Sequence, residues 1–96
     1  MTRAQALHIL ASAKPELTRR FGVAQLALFG STARDVASDA SDVDVLVTFN
    51  SRATSAAFFG VKFSLEEIFG GPVDLVTGNA VRPELRPYIM RESIYV

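Results

Sequence analysis

The chain has 96 residues, of which 49% are hydrophobic, and its ten basic and ten acidic residues give a formal charge of zero. This composition predicts one small folded domain over residues 1–96 and excludes a disordered chain. The balanced charge argues against strong direct binding to nucleic acid. The absence of cysteine excludes disulfides and thiolate metal sites, and it agrees with a cytoplasmic protein. No stretch approaches the roughly 20 apolar residues that cross a membrane, so we expect no membrane association.

The N-terminal segment predicts a helix, because apolar residues recur at helical spacing between positions 3 and 13. Lys14-Pro15 is expected to interrupt this helix, since a residue before proline avoids the helical region. Pro15 would then open a second helical piece that stops at Gly22. His8 interrupts the apolar run, which favours a soluble amphipathic helix over a secretory signal.

Two strands are predicted next along the chain. Val23–Phe29 is apolar and rich in strand-forming residues, and Val43–Phe49 has an apolar side chain at every second position. The residues between them, 31–41, are small and polar. That composition favours a short helical turn followed by a loop.

A longer helix is predicted over residues 56–69 and is ended by the Gly-Gly-Pro at 70–72. Its apolar residues recur at steps of three and four, and this predicted inward stripe is Phe58, Val61, Leu65, Ile68 and Phe69. Phe59 and Phe63 form a second, offset stripe. This second stripe is either part of the core or a contact surface for a partner.

A third strand is predicted over 73–77, a last helix over 83–93 beginning at Pro83, and an extended piece over 94–96. Helices and strands therefore alternate along the chain. This order predicts an α/β (α+β) fold, with a small mixed β-sheet packed against helices.

Two aspartates at the head of the second strand carry the strongest chemical signal. Side chains alternate along a strand, so Asp42 and Asp44 project to the same side, roughly 6–7 Å apart. Two carboxylates that converge to ~4 Å repel each other by up to about 4 kcal/mol at an effective dielectric near 20. A divalent ion between them reverses the sign of that interaction, and Mg²⁺ is held by one or two carboxylates together with phosphate oxygens and water.

A glycine and a serine follow the first strand, where a phosphate can approach the backbone. Gly30 has no side chain to block that approach, and Ser31 offers a hydroxyl next to the N–H groups of the short helical turn. Asp74 lies in the third strand and supplies a third acid if that strand neighbours the second. It would ligate a second metal ion or accept a proton from an attacking hydroxyl.

Each of these features alone is more often structural than functional, but their combination is specific. The stretch LFGSTARDVASDASDVDVLVTF resembles the signature of the DNA polymerase β-like nucleotidyltransferase superfamily. The short length and the later GGPVDLVT resemble its minimal nucleotidyltransferase branch. Members of that branch are often the antitoxin half of a pair with a HEPN-domain toxin.

The resemblance implies a role for each residue at a matching position. Gly30 and Ser31 match the phosphate-binding turn, Asp42 and Asp44 the metal pair, and Asp74 the third acid. Apart from the resemblance, the chemistry and position of Arg34 suit either contact with a nucleotide phosphate or support of the loop, and we expect Ser41 to cap or brace the loop. The family commonly has glycine where this chain has Asp35, which adds a negative charge near the phosphate site unless its side chain points away.

The implied activity is Mg²⁺-dependent transfer of AMP from ATP to a hydroxyl, such as a tyrosine of a HEPN toxin. Such a protein is expected to work in a homo- or hetero-oligomer. Two alternatives are an antitoxin that neutralises its toxin by binding alone, and a calcium-binding domain that uses Asp39, Asp42 and Asp44. The glycine and the terminal glutamate of an EF-hand loop do not occur at their required positions, which argues against calcium.

Overall fold

The computed structural model describes residues 1–37 and 42–96. Helices and strands alternate through most of the chain, as the sequence predicts. In chain order the elements are α1 (Arg3–Phe21), β1 (Val23–Phe29), α2 (Gly30–Ala33), β2 (Val43–Phe49), α3 (Ser55–Phe69), β3 (Val73–Thr77), a 3₁₀ turn (Gly78–Ala80), α4 (Arg86–Glu92) and β4 (Ile94–Tyr95).

The four strands form one mixed sheet in the order β3-β2-β1-β4. β1 is antiparallel to both β2 and β4, whereas β2 and β3 are parallel. The expected α+β fold with a small mixed sheet is therefore confirmed. None of the helices in the described part of the chain is both long and apolar enough to cross a bilayer.

The two faces of the sheet differ in character. α1 and α3 cover one face, and the buried side chains of Val43, Val45 and Val47 pack there into the hydrophobic core. Because side chains alternate along a strand, Asp44 and Leu46 project from the opposite face. The acidic residues thus stand on the face that α1 and α3 leave free.

The predicted break in the first helix is wrong, because α1 runs unbroken from Arg3 to Phe21 with Pro15 inside it. Pro15 is exposed, so its ring lies on the solvent side of the helix. The residues of α1 that face the core recur at steps of four, three and four on both sides of the proline: Ala6, Leu10, Ala13 and Leu17. Burial of this continuous stripe offsets the roughly 3 kcal/mol that an internal proline costs a helix.

The inward stripe of α3 is confirmed in its centre, where Val61 and Leu65 are fully buried. Ile68 was expected on this stripe, but half of its surface is exposed. β3 is the edge strand of the described sheet, so the sheet does not extend beyond it to cover the last turn of the helix. Phe59 and Phe63 are also exposed, and their rings stack with centroids 5.9 Å apart. In the described chain they are not part of the core.

The last helix begins at Arg86, three residues later than predicted. A helix begun at Pro83 would put Pro87 in its second turn, where the missing N–H removes a backbone hydrogen bond. Beginning at Arg86 puts Pro87 in the first turn, where no such bond is made. The N–H of Leu85 instead donates to the carbonyl of Arg82 (3.0 Å) in a tight turn. The extended piece at the end is confirmed as β4.

Candidate active site

Asp44 and Asp74 lie side by side on parallel strands. They are register partners between β2 and β3, and neighbouring strands are about 4.8 Å apart. Their side chains therefore leave the same face of the sheet. Asp44 is half-buried, whereas Asp74 and Asp42 are exposed. The third acid thus lies next to the metal pair that the sequence predicts.

The electrostatics of Asp44 show that the charges of Asp74 and Asp42 both act on its carboxyl group. The pKa of Asp44 is raised from 3.8 to about 6, chiefly by burial and then, in decreasing order, by the charge of Asp74, a hydrogen bond with Asp74 and the charge of Asp42. The guanidinium of Arg34 opposes this shift. A carboxyl group held in this way is poorly stabilised as an anion unless a cation joins it.

Gly30 brings the turn after β1 into direct contact with Asp44. Its φ of 73° lies in the left-handed region, which favours glycine. A Cβ on Gly30 would overlap the carboxylate of Asp44. Glycine is therefore required here twice, once by the backbone conformation and once by the neighbouring acid. The turn that the sequence predicts to bind phosphate therefore borders Asp44, a candidate metal ligand.

Glu92, at the end of α4, is a residue of this site that the sequence did not point to. Its Oε1 accepts a hydrogen bond from the N–H of Gly30 (3.1 Å), and its Oε2 accepts one from Nη1 of Arg34 (2.8 Å). Arg34 is thus paired with a carboxylate, while its charge still acts on Asp44. No spacing pattern relates residue 92 to residues 30 and 34, so sequence reasoning had no signal for this contact.

A family model described as the nucleotidyltransferase domain matches residues 10–96. The chain belongs to the nucleotidyltransferase domain family. The resemblance drawn from the motif around the aspartates is confirmed at this level.

Curated relatives and solved structures agree with the family. This nucleotidyltransferase domain is 38% identical over 88 residues to the protein adenylyltransferase MntA of Thermococcus cleftensis, covering 92% of this chain and 89% of the relative. A chain solved under the name of minimal nucleotidyltransferase superposes with a TM-score of 0.82 at 34% identity, covering 98% of this chain and 95% of the other. A toxin–antitoxin structure with AMP-PNP superposes with a TM-score of 0.71 at 20% identity, covering 88% and 69%, and shows a shared fold.

The donor set of the nucleotidyltransferase domain suits a hard divalent cation. Within residues 1–37 and 42–96, no three acidic or histidine side chains are grouped closely enough to hold one ion as they stand. The charge of Asp74 is nevertheless a cause of the raised pKa of Asp44, second to burial, and a cation between the two carboxylates would offset that repulsion. Oxygen ligands of this kind are those that Mg²⁺ prefers. Asp39 and Ser41, named in the sequence interpretation, lie outside the described residues.

Asp35 points away from the turn of the nucleotidyltransferase domain. Its φ is 61°, which places a non-glycine residue in the left-handed region. Its Oδ1 accepts a hydrogen bond from the N–H of Arg3 (2.9 Å) at the start of α1. The negative charge that replaces the usual glycine is therefore directed to a helix N-terminus, where a carboxylate is stabilised.

An open groove of about 710 Å³ lies at the other end of β2. It is lined by Thr48 of β2, Gln25 of β1, Tyr95 of β4 and Met90 of α4, among others. None of the three aspartates lines it. This space is therefore separate from the acidic site. Its lining also includes the cationic side chains of Arg52 and Arg86.

Proposed function

We propose that this nucleotidyltransferase domain is a Mg²⁺-dependent protein adenylyltransferase that moves AMP from ATP to a hydroxyl group of a partner protein. The observation that carries the proposal is the Asp44–Asp74 pair packed against Gly30. The name of the 38% identical Thermococcus relative, a protein adenylyltransferase, supports the same activity.

The proposed reaction assigns a part to each residue of the site. ATP lies with its phosphates along Gly30 and Ser31. The acceptor oxygen forms a bond to the α-phosphorus, the bond from that phosphorus to the bridging oxygen breaks, and pyrophosphate leaves. Asp74 is exposed beside Asp44, so it is placed to take the hydroxyl proton or to hold a further ion.

Asp42 and Asp44 are the residues that would hold Mg²⁺. A bound divalent ion supplies charge neutralisation at the phosphates and orients the triphosphate. The protein contributes the positions of its carboxylates and of the turn, which the contact of Gly30 with Asp44 fixes. No covalent intermediate with the enzyme is needed.

We further propose that the partner is a HEPN-domain toxin, that the acceptor is one of its tyrosines, and that AMP transfer inactivates it. The sequence resemblance and the fold shared with a toxin–antitoxin structure containing AMP-PNP support this choice. The exposed Phe59–Phe63 stack offers an apolar surface of the kind that protein partners cover.

Transfer of label from [α-³²P]ATP to the co-purified partner tests the activity directly. We expect Mg²⁺-dependent labelling with the parent chain and none with the Asp42→Asn/Asp44→Asn double variant. Glu67→Gln removes an exposed carboxylate elsewhere on the surface and is the matched control, which should label as the parent does. If the parent transfers no label and the double variant still neutralises the toxin in cells, the protein acts by binding alone.

A further inference from the structure

Glu92 makes a two-point contact with the turn that follows β1. One carboxylate oxygen accepts a hydrogen bond from the N–H of Gly30, which is the first residue of α2. The other accepts one from Nη1 of Arg34, which directly follows α2. The backbone N–H of Arg34 also donates to the carbonyl of Gly30 (3.1 Å). One side chain therefore contacts both ends of the four-residue helix.

The position of Glu92 is fixed by the strand that follows it. Ile94 pairs with Leu28 and Tyr95 with Ala27 in the antiparallel β4–β1 ladder. Continuing this register by two residues in each direction places residue 92 opposite residue 30. The backbone of Val96 also donates to the carbonyl of Leu26 (3.0 Å), which anchors the end of the chain on β1. The pairing of β4 with β1 therefore places Glu92 beside Gly30.

A helix of four residues needs such outside support. Helix formation is cooperative, and so short a segment gains too few internal hydrogen bonds to offset the cost of its first turn. The pair between Glu92 and Arg34 is partly exposed, with 28% and 54% of the respective side chains accessible. Exposed ion pairs add little to global stability. The contact therefore acts locally, on the conformation of α2.

We propose that Glu92 is a positioning residue of the nucleotide site: it holds the N–H of Gly30 and the guanidinium of Arg34, and so keeps the Gly30–Ser31 turn in the conformation that receives the triphosphate. This inference rests on the proposed function, because it deepens the role of the turn. In this role Glu92 acts through its two partners, Gly30 and Arg34, and is not a catalytic residue. Loss of the carboxylate leaves the turn free to sample other conformations, only a fraction of which bind nucleotide.

Nucleotide binding by Glu92 variants gives the first test. We measure the Kd of a non-hydrolysable ATP analogue with Mg²⁺ by calorimetry, together with kcat and KM of AMP transfer, for the full chain. Glu92→Ala loses both contacts and should raise the Kd and KM roughly tenfold. Glu92→Gln keeps an acceptor for Gly30 and should lie between Glu92→Ala and the parent. Glu84→Ala, which removes an exposed carboxylate before α4, is the control and should leave the Kd unchanged.

A double-variant cycle isolates the contribution of the Glu92–Arg34 contact. Adding Glu92→Gln to Arg34→Ala should change the Kd no further, because the ion pair is already absent. Additive effects of the two substitutions on the Kd would contradict a role for the Glu92–Arg34 contact. A Kd for Glu92→Ala equal to that of the parent, or a loss that simply follows a lowered melting temperature, would overturn the proposal as a whole.

Hydrogen exchange tests the same inference without any nucleotide. In Glu92→Ala, the amide of Gly30 should exchange at least about tenfold faster than in the parent, while amides of the α1 core stay protected. An unchanged rate at Gly30 contradicts the positioning role. A parent chain that binds no nucleotide but shows the faster exchange in Glu92→Ala contradicts the proposed function and leaves the contact with the turn established.

Discussion

The carboxylate of Asp44 lies directly against the α-carbon of Gly30, with no room for a side-chain atom between them. This contact joins the turn after β1 to the acidic strand β2, which are register neighbours through Phe29 and Asp44. A displacement of the turn therefore changes the position of a metal-ligand candidate, and a displacement of Asp44 changes the turn. Nucleotide and metal binding are expected to be coupled through this one contact.

Alanine at Gly30 should abolish activity, whereas alanine at Gly22 should not. Both glycines have φ of 73°, but a Cβ on Gly22 meets nothing within 4 Å. Gly22→Ala should lower the free energy of unfolding by about 1–2 kcal/mol through the left-handed backbone alone. Gly30→Ala adds the clash with Asp44, which should cost a further 1–3 kcal/mol or so. Chemical denaturation and AMP transfer measure both; equal losses of activity at the two positions would contradict the contact.

The strands and the acidic cluster follow from local signals in the sequence. The predicted and observed bounds agree for all three longer strands, Val23–Phe29, Val43–Phe49 and Val73–Thr77, because alternation and flanking glycines or polar residues mark their ends. Asp74 was expected beside Asp44 only if the third strand neighbours the second. The parallel pairing of β2 with β3 confirms that neighbourhood. The nucleotide-binding and catalytic roles of these residues stay predictions until variants are measured.

Features that depend on tertiary contacts were beyond the sequence. The sequence around Pro15 predicts a helix break because the cost of an internal proline depends on local sequence alone. The core contacts that offset this cost are made with other elements. Glu92 reaches Gly30 only because a two-residue strand pairs with β1 in one register. A strand that short carries no periodicity from which its partner or register can be inferred.

The stability of the metal-free chain should fall as the pH rises from 4 to 7. The pKa of Asp44 is raised from 3.8 to about 6, chiefly by burial and then by Asp74. A raised pKa gives stability that is fully present below the unfolded value and is lost as the pH passes the folded value. Because Asp44 is only half-buried, we expect a change on the order of 1 kcal/mol. Urea unfolding between pH 4 and 7 measures this change.

Asp44→Asn supplies the control for that titration. It should unfold at a urea concentration that varies less with pH and should be more stable than the parent at pH 7, because no buried charge forms. Millimolar Mg²⁺ should restore the stability of the parent at pH 7 and leave Asp44→Asn unaffected, since ligands that bind only the folded state stabilise it. A parent whose stability rises over this pH range without metal would contradict the raised pKa of Asp44.

Asp35 should tolerate glycine better than alanine. Its φ of 61° is strained for any residue with a Cβ, and its Oδ1 holds the N–H of Arg3. Asp35→Gly loses the hydrogen bond but relieves the backbone, so its unfolding free energy should stay within about 0.5 kcal/mol of the parent. Asp35→Ala keeps the strain and loses the bond, and should be less stable by about 1 kcal/mol. Both should bind nucleotide as the parent does; a gain of affinity in both would show that the charge of Asp35 does reach the phosphates.

The Lys62–Glu66 pair on α3 should hold the start of β3, next to Asp74. Oε2 of Glu66 accepts from the N–H of Val73 (3.1 Å) and from Nζ of Lys62 (3.0 Å), and Nζ of Lys62 donates to the carbonyl of Val73 (3.0 Å). Side chains thus satisfy both backbone groups at the first residue of an edge strand. Loss of this contact should loosen the strand at the position just before the third acid, and so lower AMP transfer.

A comparison of Glu66→Ala with Glu67→Ala separates the contact of Glu66 with Val73 from a general loss of charge. The two substitutions are neighbours on the same helix. The hydrogen bond from Val73 and then the contact with Lys62 lower the pKa of Glu66 below its ordinary value. The resulting stability is present above the unfolded pKa and is lost as the pH falls through the folded one. Below pH 4, where the effect of Asp44 on the pH profile is absent, thermal unfolding of the parent should therefore show a decline towards low pH that Glu66→Ala lacks and Glu67→Ala retains. Identical profiles for the two variants would mean that Glu66 does not hold β3, and that Asp74 is positioned by strand pairing alone.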